Sequence, residues 1–192
     1  MVIVNLDQEL FYLIHHELAN PFLDTVLPHY RDKLTWVPLY LVAAYLLWKQ
    51  HGANGLRLLL LIALAITVAD QLTSSVIKPL VGRARPCYAA IFEGQIRELV
   101  GCGGHDSFPS SHAANHFALA TLLALTWLQN RRGWIWAFML WAASISLAQV
   151  YVAKHYPLDI LAGGVLGALV GVAVVLLAER LGFLERAVFL AK

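Results

Sequence analysis

The stretch KHYPLDILAGGVLGALVGVAVVLLA, residues 154–178, decides the fold. From Ile160 to Ala178 it carries no charge, and about 20 such residues in a helix cross the hydrocarbon of a bilayer. Pro157 stands where a helix starts, because a first-turn proline sacrifices no intrahelical hydrogen bond. Toward the N-terminus, Gly133–Ala153, Ala113–Asn130, Leu58–Ile77 and Leu34–Trp48 have the same character. Trp36 and Trp48 flank the last of these, as expected near lipid headgroups. The expectation is therefore an all-α polytopic membrane bundle of about five transmembrane helices.

Composition agrees. Of 192 residues, 59% are hydrophobic and 14% charged, and the mean hydropathy is +0.65, which leaves too little polar surface for a soluble domain. A formal net charge of +2 without a basic run gives no footing for a nucleic-acid partner. No linker, low-complexity tract or internal repeat divides the chain, so 1–192 reads as one domain, and nothing calls for an obligate protein partner. The N-terminus lacks the pattern of a cleavable signal peptide, leaving the spans themselves to direct insertion. Residues 1–30 differ from the rest. Leu6, Leu10, Phe11, Ile14 and Leu18 recur at helical spacing among Asp7, Glu9 and His15–Glu17. That pattern predicts an amphipathic helix on the membrane interface, with a spanning helix as the alternative.

Five spans would put the segment before residue 34, the loop 78–112 and the turn 154–159 on one face. The turns 49–57 and 131–132 and the C-terminal tail would lie on the other. Lys49, Arg57, Arg131, Arg132, Arg180, Arg186 and Lys192 fall on this second face, and equally many cations fall on the first. Once Lys78, Arg85 and Lys154 are set aside as site residues, the positive-inside rule makes the second face cytoplasmic. The expected location is a bacterial-type inner membrane with the site facing outward. Cys87 and Cys102 share the outer loop. They could form a disulfide in an oxidising compartment, closing a loop of about 15 residues worth roughly 3 kcal/mol, or remain free thiols. Asp70, inside the second span, is either part of a polar substrate path or a hydrogen-bonded packing residue.

Three clusters on the outer face carry chemistry. Lys78 and Arg85-Pro86 place two cations where a phosphate would be held. Pro109-Ser110-Ser111-His112 enters the third span, where free backbone N–H groups attract anions and the serine hydroxyls can cap or donate. His155 and Asp159 are one helical turn apart, so the carboxylate can hold one imidazole nitrogen protonated and leave the other free to attack. Taken singly, each group reads equally as an interfacial anchor, a helix cap or a chance pair; their order and common face favour phosphoryl transfer without a metal or other cofactor. His116 reads as structural, His15 and His16 belong to the N-terminal helix, and His105 belongs to the loop.

These clusters resemble the type 2 phosphatidic acid phosphatase (PAP2) superfamily, whose signature is K-x6-R-P, P-S-G-H and S-R-x5-H-x3-D. The resemblance spans about residues 58–178. Lys78, Arg85 and Pro86 match the first motif, while Pro109, Ser110 and His112 match the second, with Ser111 in place of glycine. His155 and Asp159 match the third. The resemblance implies a compact helical bundle in which His155 forms a phosphohistidine, Asp159 orients it, and His112 protonates the leaving oxygen and then activates water. Lys78, Arg85 and Ser110 would hold the phosphate. The family's Ser-Arg pair falls at Ala148-Gln149, so one guanidinium is missing. Gln149 can donate without charge, and Lys154 is the expected substitute.

The implied activity is a membrane lipid phosphatase acting on a polyprenyl diphosphate, a phosphatidylglycerophosphate-like or phosphatidic acid lipid, or lipid A phosphate. A lipid-to-lipid phosphotransferase would use the same residues. A weakened lipid-phosphate binder or transporter is the reading that the absent arginine prompts.

Overall fold

The computed structural model describes residues 2–185 and Phe189, and among them all regular elements are helical. Helix α1, Val2–Tyr12, runs into a π turn at Leu13–Glu17, and α2 spans Pro21–Tyr30. Asn20 caps α2 by accepting from the Leu23 amide at 3.0 Å. After a 3-10 turn at Lys33–Trp36, α3 covers Val37–His51 and α4 covers Ala53–Gln71. A π turn, Leu72–Ile77, joins α4 to the single-turn α5, Lys78–Val81, which stops at the left-handed Gly82. The loop that follows contains 3-10 turns at Pro86–Tyr88 and Ala90–Phe92. Then come α6, Ser111–Leu125, α7, Arg132–Tyr151, and α8, Pro157–Arg180.

Among the described residues, three helices are long and apolar enough to cross a membrane: the continuous segment Ala53–Val81, α7 and α8. Helices α3 and α6 have 15 residues each, shorter than the sequence suggested for the third span. Helix α6 stops at Leu125 instead of continuing to Asn130. Thr126 turns its hydroxyl onto the Leu122 carbonyl at 2.7 Å, and the chain closes through Leu128 N–H to Leu123 O at 2.9 Å. Outward residues of α8 such as Leu161, Val165 and Leu169 are more than half exposed, as lipid-facing side chains are. The molecule is an integral membrane protein.

Helices α6 and α8 make the most extensive contact and form the centre of the bundle. Gly163, Gly167 and Gly171 lie four apart on one face of α8, facing α6. A Cβ on Gly167 would sit 2.0 Å from the Ala114 carbonyl oxygen, and one on Gly163 2.3 Å from that of Ser110. Backbone-to-backbone approach of this kind is how helices gain van der Waals contact where lipid supplies no hydrophobic drive. It also fixes the N-terminus of α6 beside that of α8, which brings two of the motif clusters together.

The N-terminal segment departs from the single amphipathic helix expected from the sequence. It forms two helices; α1 and the π turn after it point Asp7, Phe11 and His15 inward while Leu6, Leu10, Leu13 and Leu18 remain exposed. Phe11 leaves the apolar stripe to pack in a cluster with Phe92 and Tyr156. The inward polar groups are satisfied by the bundle: His15 Nδ1 lies 2.6 Å from the Tyr151 carbonyl and its Nε2 accepts from the Arg97 amide at 3.0 Å. Arg186 and Lys192, part of the charge comparison above, lie outside the described residues.

Because the Gly167 contact is with backbone, relief requires the two helices to separate. Gly167→Val should lower the thermal unfolding midpoint in detergent sharply, by a destabilisation of roughly 1–3 kcal/mol or more. Gly133→Ala, where a Cβ meets nothing within 4 Å, should leave the midpoint unchanged.

Candidate active site

The site lies at the end of the bundle where α5, the N-termini of α6 and α8, and the segment after α2 converge. Its chemistry begins with the turn between α7 and α8. Ala153 takes a left-handed conformation, φ 58°, and turns the chain so that Lys154 and His155 run back into the bundle, both buried. Pro157 starts α8. The Asp159 carboxylate caps it by accepting from the Tyr156 amide at 2.8 Å, leaving Asp159 Oδ2 3.5 Å from His155 Nδ1. That is an ion-pair distance at which the hydrogen bond is not yet closed, a common state of such pairs without substrate. Burial pulls the His155 imidazole down to about 4, against the Asp159 carboxylate, and Lys78 and Arg85 push the same way as burial.

His112 occupies the first turn of α6, and its carbonyl lies 2.7 Å from His116 Nδ1. His116 packs edge-on to Trp141 at 5.0 Å, in keeping with a structural role. The two serines divide their work. Ser110 is fully buried, caps α6 through the Ala113 amide at 3.4 Å, and donates its own amide to the Asp159 carbonyl at 2.9 Å. Its hydroxyl does not line the cavity, contrary to its expected place beside the phosphate. Ser111 does line it, and its hydroxyl is held by Thr73 at 2.9 Å and Ser74 at 3.1 Å, both from the π turn.

Lys78 and Arg85 converge although Gly82 breaks the helix between them. Lys78 Nζ donates to the Asp106 carbonyl at 3.0 Å, and Arg85 Nε donates to the same oxygen at 3.3 Å. Cys87 and Cys102 form a disulfide, with Cα atoms 6.2 Å apart. The Cys102 carbonyl accepts from Arg85 Nη1 at 2.9 Å and from Lys154 Nζ at 2.6 Å. The crosslinked loop therefore supplies the acceptors that aim two cations. Lys154 also donates to the Gly101 carbonyl and stays outside the cavity lining, so it is not positioned as the substitute for the missing arginine. Burial and the neighbouring guanidiniums lower its amine to about 8.

His155, His112, Lys78, Arg85, Ser111 and Gln149 line one end of a cavity of about 870 Å³. From there the cavity runs along α3, α4 and α7 between apolar side chains including Leu47, Ile62, Leu123 and Phe138. Its polar end gathers cations, which suits an anion. Asp70 borders the cavity and accepts from Asn115 Nδ2 at 3.1 Å, so it faces the polar path.

Three residues near the site were not picked out from sequence. Arg83 bridges Asp159 Oδ1 at 2.7 Å and Asp7 Oδ2 at 2.5 Å, with its guanidinium 3.9 Å above the Tyr156 ring. Asp7 Oδ1 also accepts from the Leu158 amide at 2.7 Å. Arg31, just past α2, lines the cavity and donates from Nε to Gln149 Oε1 at 3.0 Å. The spacing R-x-R at 83–85 was visible, but nothing local in the sequence pairs Asp7 with residue 83 or Arg31 with residue 149.

The chain matches the family model of the PAP2 superfamily over residues 56–183. It is 37% identical over 176 residues to a lipid A 4'-phosphatase of Bacteroides thetaiotaomicron, covering 88% of this chain and 76% of that protein. It is 27% identical to an undecaprenyl-diphosphatase of Sulfolobus acidocaldarius, covering 86% and 75% of the two chains. The fold superposes on the crystal structure of LpxE from Aquifex aeolicus with a TM-score of 0.66 and 26% identity, covering 88% of this chain and 94% of that one. The order of the three clusters, their convergence on one cationic cavity and these likenesses agree, and the chain belongs to the PAP2 superfamily.

Proposed function

We propose that this membrane lipid phosphatase removes a phosphate from a lipid through a covalent histidine intermediate, with no metal ion taking part. The observation that carries the reading is the single cavity whose cationic end holds His155 and His112 and whose remainder is apolar. Such a cavity accepts a phosphate and the adjoining lipid chain together.

His155 Nε2 attacks phosphorus while Nδ1 keeps its proton toward Asp159. The bond from phosphorus to the lipid oxygen breaks, and protonated His112 gives its proton to that oxygen, releasing the lipid alcohol (or, from a diphosphate, the lipid monophosphate). Neutral His112 then takes a proton from water, whose oxygen attacks the phosphohistidine. The P–N bond breaks and inorganic phosphate leaves. Lys78 and Arg85 neutralise the phosphate oxygens, with Ser111 and Gln149 as uncharged donors. Ser110 contributes by fixing the start of α6, and Lys154 by fixing the loop.

We place the bundle in a bacterial-type inner membrane, with α3 and α6 completing five crossings, α1 and α2 at the interface and residues 1–192 acting as one unit. The disulfide supports a periplasmic site, because such bonds persist in oxidising compartments. The cations Lys49, Arg57, Arg131, Arg132 and Arg180 on the opposite turns support a cytoplasmic far side. Among lipids, the 37% likeness to a lipid A 4'-phosphatase favours a lipid A phosphomonoester over a polyprenyl diphosphate.

Phosphate release in detergent with EDTA, from lipid A, undecaprenyl diphosphate, phosphatidylglycerophosphate and phosphatidic acid, tests the reading. We expect release to be fastest from lipid A and abolished in His155→Ala. Phosphate should equal dephosphorylated lipid mole for mole; a shortfall would indicate transfer to a second lipid instead. Dependence on an added divalent cation would sink the metal-free route.

The nucleophile must be neutral, so protonation of His155 should set the acidic limb of kcat/KM near pH 4, below which activity falls. A limb centred near 6.5 would mark an unperturbed imidazole. Replacing both cysteines with serine should cost roughly 3 kcal/mol of stability and raise the inhibition constant of inorganic phosphate, because Arg85 loses its fixed acceptor. Thermal unfolding and phosphate inhibition, each measured with and without reductant, check this.

A further inference from the structure

The family motif leaves a gap at Gln149, and the structure places a guanidinium from elsewhere against it. Gln149 is 1% exposed and lies on α7, directly beneath the polar end of the cavity it helps to line. Arg31 has donors only, so the Gln149 amide must turn its oxygen toward Arg31 Nε, the 3.0 Å contact described above. The Gln149 Nε2 is then left buried without a hydrogen-bond partner among the described residues. Arg31 is held from behind: its amide donates to the Leu27 carbonyl at 3.1 Å as α2 ends. Its guanidinium has no carboxylate within ion-pair distance among the described residues; burial disfavours its charge, Asp32 offsets part of that, and Arg85 adds to it. Two guanidiniums without an ion-pair contact and an orphaned amide donor around one cavity are an arrangement that an anion would complete.

We infer that Arg31, presented by the N-terminal segment and aimed by Gln149, is a phosphate-binding residue that replaces the arginine missing from α7. In this arrangement Nε is used by Gln149 and the two terminal nitrogens remain for phosphate oxygens, while Gln149 Nε2 donates to a further oxygen. The inference rests on the proposed phosphatase reading and adds to it a cation from outside the three motifs.

The test uses the full chain in detergent, with orthovanadate as the phosphate mimic. Arg31→Ala should lower kcat/KM roughly 10- to 100-fold, the loss of a charge-assisted contact, and weaken vanadate inhibition by a similar factor. Arg31→Lys should fall between the two. The double variant Arg31→Ala/Gln149→Arg, which returns the charge to α7, should recover much of both losses; this recovery also shows that the single variant folds. Wild-type kcat/KM and wild-type vanadate inhibition in Arg31→Ala would overturn the inference. So would lost turnover with unchanged vanadate inhibition, which would make Arg31 a support for the fold. If the wild type released no phosphate from any lipid, the phosphatase reading would fail by itself. Vanadate-induced thermal stabilisation, compared between wild type and Arg31→Ala, would still decide whether Arg31 binds the anion.

Discussion

A carboxylate sealed from solvent must be paired, and Asp159 is wholly buried at the head of the central helix. One oxygen is held by Arg83; the other caps α8 at the Tyr156 amide and faces His155. The backbone of the same residue receives the Ser110 amide, so the start of α6 is tied to the start of α8. Removing that charge would strip Arg83 of one partner, His155 of its orienting group and α8 of its cap. The glycine seam below it exists to the same end: it lets α6 approach α8 closely enough for the Ser110–Asp159 bond to form.

Around this anchor the cavity has two solvents. At one end the lining groups are cations and imidazoles, and along its length they are leucine, isoleucine and aromatic side chains. A lipid phosphate meets both without leaving the bilayer, because its chain exchanges one apolar surround for another. Transfer of the chain therefore contributes little free energy, and discrimination falls to the polar end. The cations there are aimed by the backbone carbonyls of Cys102, in the disulfide loop, and Asp106, just beyond it.

The all-helical fold, the three long apolar helices and the family motifs were legible because each rests on local pattern: uninterrupted apolar runs, a first-turn proline, and His155 and Asp159 one turn apart. Convergence of Lys78 with Arg85 was not legible, since it depends on Gly82 and on the Asp106 carbonyl that both reach. The division of labour between Ser110 and Ser111 was also hidden, because only the packing of α8 decides which hydroxyl is sealed. Lys154 was the sequence candidate for the absent arginine by adjacency to His155. Its amine is committed to the carbonyls of Gly101 and Cys102, and the group that reaches Gln149 comes from residue 31. Pairings across such distances in the chain leave no periodic trace. The exposed leucines of α1 show the same limit: the helical spacing was right, but the protein-facing side was the polar one.

The Asp7 contact has a consequence for biosynthesis. Asp7 accepts from the amide of Leu158, 151 positions later, and at about 5–20 residues per second the ribosome needs roughly 8–30 s to make the intervening chain. Until Arg83 is made, the Asp7 carboxylate lacks its ion-pair partner, and until Leu158 is made it lacks its amide donor. Arg83 is made about midway and has no Asp159 to bridge to for a further 76 residues. A nascent chain thus carries Lys78, Arg83 and Arg85 before His155 and Asp159 exist. The two carboxylate–guanidinium pairs around Arg83 are therefore both closed only once α8 has been made.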